Sequence, residues 1–377
     1  MIPHILHIHS SFDLGGKEAR SARLMNAFGK AARHTIVSGV PDAYGARSAI
    51  APGVAYEIAQ NPPPLTGKPS AARYEAIAAF SRRFDLVLTY NWGAIDGVMA
   101  RRVFPKGAPP VVHHEDGFNA DEAERLSPVR NMYRRIALSS AHAVVVPSLR
   151  LESIARKAWK QPDERVRRIA NGIATGQYSA KPKPTAIPGF RRKGTQPVIG
   201  TVAGLRAVKD LPLMVRAVGG IAFDTDLVIV GEGPERQAIH AAAEAMFLGD
   251  RVHLPGFLAD PHRFMGLFDI FALTSHSEQQ PIAVIEAMAA GLPIVAPDVG
   301  DIRQMVSPDN LPYISPDRHE VHLRDRMMIL VQNPDLRAKI GAANRARAVA
   351  MFDEGTMIAA YRSLYEAAMR RPGVLTT

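Results

Sequence analysis

Ser277-Glu278-Gln279-Gln280-Pro281-Ile282-Ala283-Val284-Ile285-Glu286-Ala287-Met288-Ala289-Ala290-Gly291-Leu292-Pro293-Ile294-Val295-Ala296 is the stretch on which the fold turns. Ahead of it, Phe268 to Leu273 is a short apolar run suited to a buried strand, followed by a Thr-Ser-His-Ser loop. Pro281 stands where a helix has its first turn, and the helix is expected to run to about Ala290, stopped by Gly291 and Pro293. Ile294 to Ala296 then opens another strand. In such strand-loop-helix-strand units ligands bind at the carboxyl end of the strand, beside the helix N-terminus, where unpaired N–H groups and the helix dipole favour anions. Glu278 is placed to meet a ligand's hydroxyls, and Glu286, within the helix, to reach another part of the ligand. Taken alone, the pair reads more simply as an acid that favours the helix dipole and a solvated glutamate.

The same alternation extends on both sides. Upstream in the second half, Val198–Val202, Leu227–Val230, Val252–Leu254 and Ile270–Leu273 read as strands separated by helical segments. In the first half the strands are Ile5–His9, His34–Ser38, Asp85–Thr89, Pro110–His113, Ala141–Val146 and Val166–Ala170. Helices are expected from Lys17 to about Gly29, over Ala71–Arg82, Ala94–Arg102, Pro128–Ser139 and Leu149–Trp159, and at the end over His319–Val331, Pro334–Met351 and Phe352–Arg371. Apolar strands alternating with helices imply a parallel, doubly wound α/β sheet, here twice over. Residues 40–69, rich in proline, read as a long surface loop, and Gln177 to Pro197, rich in proline and basic residues, as an interdomain linker. Tyr361, Leu364 and Tyr365 fall on one stripe of the last helix, a packing face.

Length and composition agree. With 377 residues, 47% of them apolar and 22% charged, the chain is globular and long enough for two domains. It has no cysteine, which excludes disulfides and cysteine chemistry. No apolar run is long enough to span a membrane, and Met1 to His9 lacks the basic region and cleavage site of a signal peptide, so the expected location is cytoplasmic. The net charge of +10 is uneven: residues 1–180 hold 24 Lys/Arg against 15 Asp/Glu, and residues 181–377 hold 22 against 21. An anionic partner is therefore expected at the N-terminal half. Nucleic acid is the least expected such partner and none is predicted, because the chain shows no recognisable binding module and its basic residues are not interleaved with aromatics.

Several constellations carry candidate chemistry. Gly15-Gly16 lies between the first strand and helix, where backbone can approach a ligand closely. Gly204 to Asp210 follows a strand and precedes a helix, and its Arg206 and Lys209 read either as a diphosphate clamp or as two solvated charges. Gly231-Glu232-Gly233-Pro234-Glu235-Arg236 starts like a dinucleotide fingerprint, but Arg236 stands where the third glycine belongs. Asp224-Thr225-Asp226 precedes its strand and reads as a turn, so no metal site is expected. His113-His114-Glu115-Asp116-Gly117 leaves a strand at its carboxyl end, and because adjacent strand residues point to opposite faces, only one histidine can face a given site. Arg130, Arg134 and Arg135, with Met132, Tyr133 and Ile136, make a basic amphipathic helix, suited either to anionic lipid or to a plain solvated face. Asn171-Gly172-Ile173 is by itself a turn.

Taken together, these residues resemble family 4 of the retaining glycosyltransferases, enzymes of GT-B fold, nearly end to end. The resemblance is most specific in Ile-Val-Gly-Glu-Gly-Pro-Glu-Arg at 229–236, Asp-Arg-Val-His-Leu-Pro-Gly-Phe at 250–257, Phe-Asp-Ile-Phe-Ala-Leu-Thr-Ser at 268–275, and the Glu278/Glu286 spacing. It implies two Rossmann-like domains facing a cleft, an acceptor-side domain over 1–180 and a donor domain over 181–352, with residues 353–377 crossing back to the first. It implies a nucleoside diphosphate sugar as co-substrate, with UDP and GDP as candidate carriers, and no metal or other cofactor. Residue by residue, it implies that Glu278 binds donor-sugar hydroxyls and Glu286 the ribose. Gln280, Pro281 and Ile282 then border the sugar or phosphate, Gly256 and Phe257 the base, and Gly15 and Gly16 the phosphates. His113 or His114 would lie near the transferred sugar and Lys209 on the phosphates, with Arg206 placed to supply the family arginine's charge by a different path; Asn91, Trp92, Glu115 and Asp116 are the candidates for the acceptor side.

Two positions depart from the family pattern. Gly204 stands where an arginine is usual, and Gln279-Gln280-Pro281 replaces Gly-Phe-Gly. The implied activity is hexosyl transfer to a glycan or lipid-linked acceptor at the cytoplasmic face of the inner membrane, in surface polysaccharide or glycolipid assembly. A nucleotide-sugar epimerase of the same fold, or a non-catalytic binding protein, are the competing readings.

Overall fold

The computed structural model describes residues 1–13, 15–118, 122 and 125–376. By its contacts the chain divides into two units, Met1–Asn171 with Thr356–Thr377, and Gly172–Gly355.

The first unit runs β1 (His4–His9), α1 (Gly16–Phe28), β2 (Arg33–Ser38), β3 (Ala55–Ile58), α2 (Ala71–Ser81), β4 (Leu86–Tyr90), α3 (Asp96–Val103), β5 (Val111–His114), α4 (Pro128–Leu138), β6 (Ala143–Val146), α5 (Leu149–Lys157) and β7 (Val166–Arg168). Its seven strands lie in the order β3-β2-β1-β4-β5-β6-β7, all pairs parallel. Both faces are covered, so successive residues of one strand enter different cores: Leu6 and Ile8 pack on the side of α2 to α5, Ile5 with Phe28 of α1. This double burial is why the strands read as largely apolar runs, and why the histidines that interrupt β1 and β5 are themselves buried.

The second unit runs β8 (Val198–Val202), α6 (Leu211–Gly219), β9 (Asp226–Val230), α7 (Arg236–Ala245), β10 (Val252–Gly256), β11 (Ile270–Ala272), α8 (Ile282–Ala289), β12 (Ile294–Pro297), α9 (Ile302–Met305), β13 (Ile314–Ser315), α10 (Glu320–Gln332) and α11 (Pro334–Met351). Its six strands take the order β10-β9-β8-β11-β12-β13. The last helix, α12 (Glu354–Met369), returns to the first unit, where Met357, Tyr361, Tyr365 and Ala368 join Ile5, Leu88, Val112 and Val145 in one core. Both sheets reverse strand order beside their first strand, at β1/β4 and at β8/β11, the crevices where open α/β sheets bind ligands.

Two expectations are corrected. Residues 40–69 are not all loop: Gly45–Ala49 forms a helical turn and Ala55–Ile58 pairs in parallel with β2. At the sheet's edge this strand leaves Ala55, Tyr56 and Glu57 exposed, so no apolar period marks it. The stretch from Gln177 to Pro197 is not a free linker either. Ile187 and Phe190 are buried, the Phe190 ring meets His253 edge-on at 4.9 Å, and Arg192 pairs with Asp269 at 2.8 Å.

Histidines are built into the first sheet. His7 bridges Tyr90 (Nδ1 to the hydroxyl, 3.1 Å) and His34 (3.0 Å), while Ser21 of α1 lies within 3.3 Å of the same Nδ1. His9 is stacked on Tyr90 at 4.0 Å and lies 4.7 Å from Phe12, and neither of its ring nitrogens has a hydrogen-bond partner among the described residues. Burial pushes His7 and His9 well below the ordinary histidine range, joined at His9 by the charges of Lys17 and Arg20, and burial holds His34 and His114 down at about 3. These rings are neutral in the folded state, whereas the unfolded chain binds protons below about pH 6.5. Stability from this set is therefore full above that pH and falls as the pH drops toward about 3. The thermal midpoint should decline between about pH 6.5 and 4, before the carboxylates titrate. His9→Phe should make that decline shallower in a calorimetric pH series, and an unchanged slope would count against this origin.

Candidate functional site

The chemistry of the second unit gathers where β8 and β11 diverge. After β8, the backbone turns through Ala207–Lys209 into Asp210, whose φ of 44° is left-handed, and then enters α6. The loop after β11 clasps this turn. Thr274 Oγ1 donates within reach of the carbonyls of Lys209 (2.9 Å) and Asp210 (2.8 Å), and His276 N donates to Val208 O at 2.8 Å. Arg318 pairs with Asp210 and stands 2.9 Å from His276 Nε2. The clasp brings Lys209 Nζ to 2.5 Å from Glu278 Oε1, which also accepts from Ser275 Oγ at 2.7 Å.

Glycines let the neighbouring loops close on this point. A Cβ at Gly231 (φ 148°) would stand 1.9 Å from Ala203 O, so the loops after β8 and β9 touch backbone to backbone. The glycines of Gly231-Glu232-Gly233 thus serve loop packing and not a dinucleotide turn. On the far side Asp301 N donates to Gln279 O at 2.8 Å, which holds the segment leading into α8. Pro281 precedes the helix and supplies no N–H, so the first free amides are those of Ile282 and Ala283. Glu286 lies half-buried one turn further along α8, Gln280 is buried, and Phe257, beside the left-handed Gly256, is largely exposed.

The first unit has a corresponding crevice at β1/β4. Gly15 precedes α1 and Gly16 begins it. A Cβ at Gly93 would stand 2.4 Å from Ser10 Cβ, so the ends of β1 and β4 are in contact there. Asn91 adopts a φ of 59° and its Oδ1 accepts from Asp116 N at 2.8 Å. Asp116 makes a two-pronged pair with Arg20 (2.5 and 2.8 Å), which also donates to Asn171 Oδ1 at 3.0 Å. Burial would raise the Asp116 pKa, but the Arg20 charge and hydrogen bonds outweigh it and hold the carboxylate below its usual range. Beside these loops is a cavity of about 580 Å3 whose walls include Val40, Leu65, Trp92, Ile95, Arg130 and Tyr133.

The two strand-end histidines separate as the pleat demands. His113 faces Thr89 Oγ1 (Nδ1, 2.8 Å) and Glu115 (Nε2, 3.7 Å). His114 points the other way, into the core under α12. Its Nδ1 donates to Thr89 O at 3.1 Å, so in the neutral ring Nε2 accepts from the Tyr365 hydroxyl at 2.8 Å. Glu115 is fully buried, 3.5 Å from Arg134 Nε.

Arg134 corrects the reading of α4 as a basic surface face. It is fully buried, two-pronged to Glu122 (3.0 and 2.9 Å) and within 5.3 Å of the Trp92, Phe118 and Trp159 rings. What α4 exposes is Val129, Met132 and Ile136, with Arg135 beside them. The turn reading of Asp224-Thr225-Asp226 holds only for its start, because Asp226 is the buried first residue of β9, 3.2 Å from His253. Thr274, Ser275, Asp210, Arg318 and Gly300 complete the cluster around Lys209 and Glu278 from four separate loops, after β8, β11, β12 and β13, and none carries a signal of its own in the sequence.

Known families match this arrangement in two consecutive pieces. The model described as "Glycosyltransferase Family 4" fits residues 14–177, and that described as "Glycosyl transferases group 1" fits residues 183–347. The chain belongs to the family 4 type of glycosyltransferases. Within that family it is similar to the alpha-D-kanosaminyltransferase of Streptomyces kanamyceticus, 25% identical over 223 residues that make up 56% of this chain and 57% of the relative. It is also similar to the phosphatidyl-myo-inositol mannosyltransferase of Mycobacterium leprae, 27% identical over 205 residues, 52% of each chain. The chain thus spans about half the length of the curated relatives it matches. In fold it resembles Anabaena HepE, whose crystal structure holds UDP and glucose, with a TM-score of 0.80, 20% identity and coverage of 97% of this chain and 100% of that one.

Gly300 tests how this family 4 site is held. Its φ is 61°, and a Cβ would stand 2.6 Å from the carbonyl oxygens of both Glu278 and Gln279. Gly300→Ala should cost about 1–3 kcal/mol, lowering the midpoint of thermal unfolding and making the 277–281 segment more open to limited proteolysis. An unchanged midpoint and protease pattern would show that the segment is not held by this contact.

Proposed function

We propose that this chain is a retaining, metal-independent glycosyltransferase that moves a hexose from a nucleoside diphosphate sugar to a hydroxyl of a glycan or lipid-linked acceptor. The observation that carries the reading is the Lys209–Glu278 pair at 2.5 Å, fixed at the switch point of the second sheet by Thr274 and Ser275. A donor needs a cation for its diphosphate and a carboxylate for its sugar hydroxyls at adjoining points, and this pair supplies both. Without donor the two neutralise each other. With donor, Lys209 turns to the phosphates and Glu278 is released to accept from the sugar.

The reaction breaks the bond from the anomeric carbon to the diphosphate oxygen and forms one to the acceptor oxygen on the same face. Negative charge grows on the departing diphosphate, which itself takes the acceptor's proton, so no side chain serves as nucleophile. The protein's part is to stabilise that charge. That part is assigned to Lys209, Arg206 and the first amides of α8. Arg206 takes over from the arginine that the family places at position 204: its Nε lies 3.5 Å from where a Gly204 Cβ would be, so the guanidinium folds back over that position. HepE binds UDP and glucose in its crystal structure, which supports a UDP sugar as the first donor to try. Glu286 is assigned to the ribose, Phe257 to the base, Gly15 and Gly16 to the phosphates, and His113 to the transferred sugar. His114 is assigned a packing role under α12.

The acceptor reading rests on the first unit. Its cavity beside Trp92 and Tyr133 has mostly apolar walls, as a lipid-linked or aromatic acceptor requires. No described helix is long and apolar enough to cross a membrane, but α4 presents Val129, Met132 and Ile136 outward next to that cavity, with Arg130 and Arg135 on the same helix. This ridge is assigned to insertion at the surface of an anionic membrane, on the cytoplasmic face.

Two measurements test the scheme. Lys209→Ala should keep its circular dichroism and lose about 10²–10³-fold in turnover with UDP sugars, and a folded variant of full activity would remove the assignment. Met132→Asp with Ile136→Asp should leave UDP-sugar binding intact and weaken sedimentation with anionic vesicles by about tenfold or more, since each apolar side chain is worth ~1.5–3 kcal/mol on burial. Equal sedimentation of variant and wild type would refute the ridge's role.

A further inference from the structure

At the amino ends of the first unit's strands, away from the switch point, two adjoining pockets of about 360 and 440 Å3 share Arg101, Ser139 and Ser140. Their walls add Arg102, His142, Arg165 and Arg370, and none of the described residues lining them is a carboxylate. The cations are aimed by backbone. Arg101 donates to the carbonyls of Ser140 (3.0 Å), Ala108 (3.0 Å) and Pro109 (2.9 Å), and Arg165 donates to Ala141 O (3.1 Å) and Gln161 Oε1 (3.1 Å). These neutral partners fix the guanidiniums without cancelling their charge. Arg102 and Arg370 stand exposed beside them.

The simpler account is that the arginines complement helix ends, because α3, α4 and α12 all finish at this pocket. Each C-terminus supplies roughly −0.5 of an elementary charge, so the helices offset about 1.5 of the four guanidinium charges and leave a surplus of about +2.5. The surplus is felt locally: after burial, the charges of Arg167, Arg101 and Arg370 are what lower the His142 pKa. A concave site of this volume with oriented, uncancelled guanidiniums matches a compact ligand of two to three negative charges.

We propose that this pocket is a second anion site, separate from Lys209, which takes a ligand bearing a phosphomonoester or diphosphate group. Such a group occurs in soluble diphosphates and on phosphate-headed lipids. The lipid source has a geometric counterpart, because α4 runs from its exposed ridge directly into Ser139 and Ser140 of the pocket wall.

The test uses the full chain and reads binding rather than transfer, so it stands apart from the proposed activity. Inorganic pyrophosphate is titrated by calorimetry and thermal shift against wild type, Lys209→Ala, and the paired variant Arg102→Gln with Arg370→Gln. Vesicles of phosphatidylcholine, with and without phosphatidic acid, form the second arm. Because both arginines are exposed, the paired variant should keep the ligand-free midpoint, and Arg165→Gln provides a second, independent probe of the same pocket.

Pyrophosphate binding that persists in Lys209→Ala but weakens about tenfold or more in the paired variant supports the site with a soluble ligand. Phosphatidic acid-dependent vesicle binding lost in the paired variant supports it with a lipid head group. The proposal is overturned if pyrophosphate binding disappears in Lys209→Ala and survives in the arginine variants. It is equally overturned if neither probe binds, or if binding is indifferent to Arg102, Arg165 and Arg370.

Discussion

The hydroxyl of Thr274 lies within 2.9 Å of the Lys209 carbonyl and 2.8 Å of the Asp210 carbonyl, and the cluster around Lys209 and Glu278 depends on that contact. Lys209 and Glu278 arise from loops that follow different strands, β8 and β11, and nothing in either loop alone would bring them together. Asp210 is a non-glycine residue in left-handed conformation, which costs free energy unless its surroundings hold it there. Thr274 on its carbonyl and Arg318 on its carboxylate supply that hold. The strain and the ion pair are therefore linked: the turn that costs energy at Asp210 is what aims Lys209 at Glu278.

The first unit solves a similar problem with different parts. Asn91 is again a left-handed non-glycine residue at the end of a switch-point strand, and its side chain accepts from the backbone of Asp116. Asp116 is in turn fastened by Arg20 of α1, whose guanidinium also lies 5.6 Å from the centre of the Tyr361 ring on α12. One buried cation thus ties the loop after β5 to the helix that follows Gly15-Gly16 and to the helix that returns from the second unit. Asp116, an expected acceptor-side group, is held in this structural network, and Trp92 lines the cavity of about 580 Å3.

Much of this was legible in the sequence, and for a physical reason. A strand buried on both faces carries few polar side chains, so β4, β6, β8 and β9 stand out as largely apolar runs and β1 and β5 as runs interrupted only by histidines, and Glu278 and Glu286, before and within α8, sit beside proline and glycine signals that mark its ends. Edge strands escape the rule. Ala55–Ile58 buries little, and Ile314–Ser315 is two residues long, so neither shows a period. Partners far apart in sequence were equally hidden: no local pattern announces that Thr274 would meet Lys209, or that Gly300 would press on Glu278. On α4 the residue types were read correctly and the orientation inverted. An arginine inside and Met132, Val129 and Ile136 outside reverse the usual helical pattern, and the Glu122 and Glu115 carboxylates with three aromatic rings around Arg134 make that reversal affordable.

The histidines of the first sheet follow the same logic of position over type. In a strand buried on both faces, valine would supply more hydrophobic stabilisation than His7 or His114 without requiring a hydrogen-bond partner. What an imidazole adds is direction. His114 Nδ1 is committed to the Thr89 carbonyl, so its Nε2 has one task left, and the Tyr365 hydroxyl must arrive at that point for α12 to seat without an orphaned polar atom. His7 sets the same condition on α1 through Ser21 and on β2 through His34. A one-turn slide of the helix here would not only cost its side-chain packing but also leave a buried nitrogen and a buried hydroxyl unpaired at about 1–3 kcal/mol each. Neutral histidines therefore fix the register of the helices that carry Gly16 and Arg20 at one end of the chain and Tyr361 at the other. Their low basicity follows from the exclusion of water from this sheet, and the crevice at β1/β4 from the reversal of strand order there.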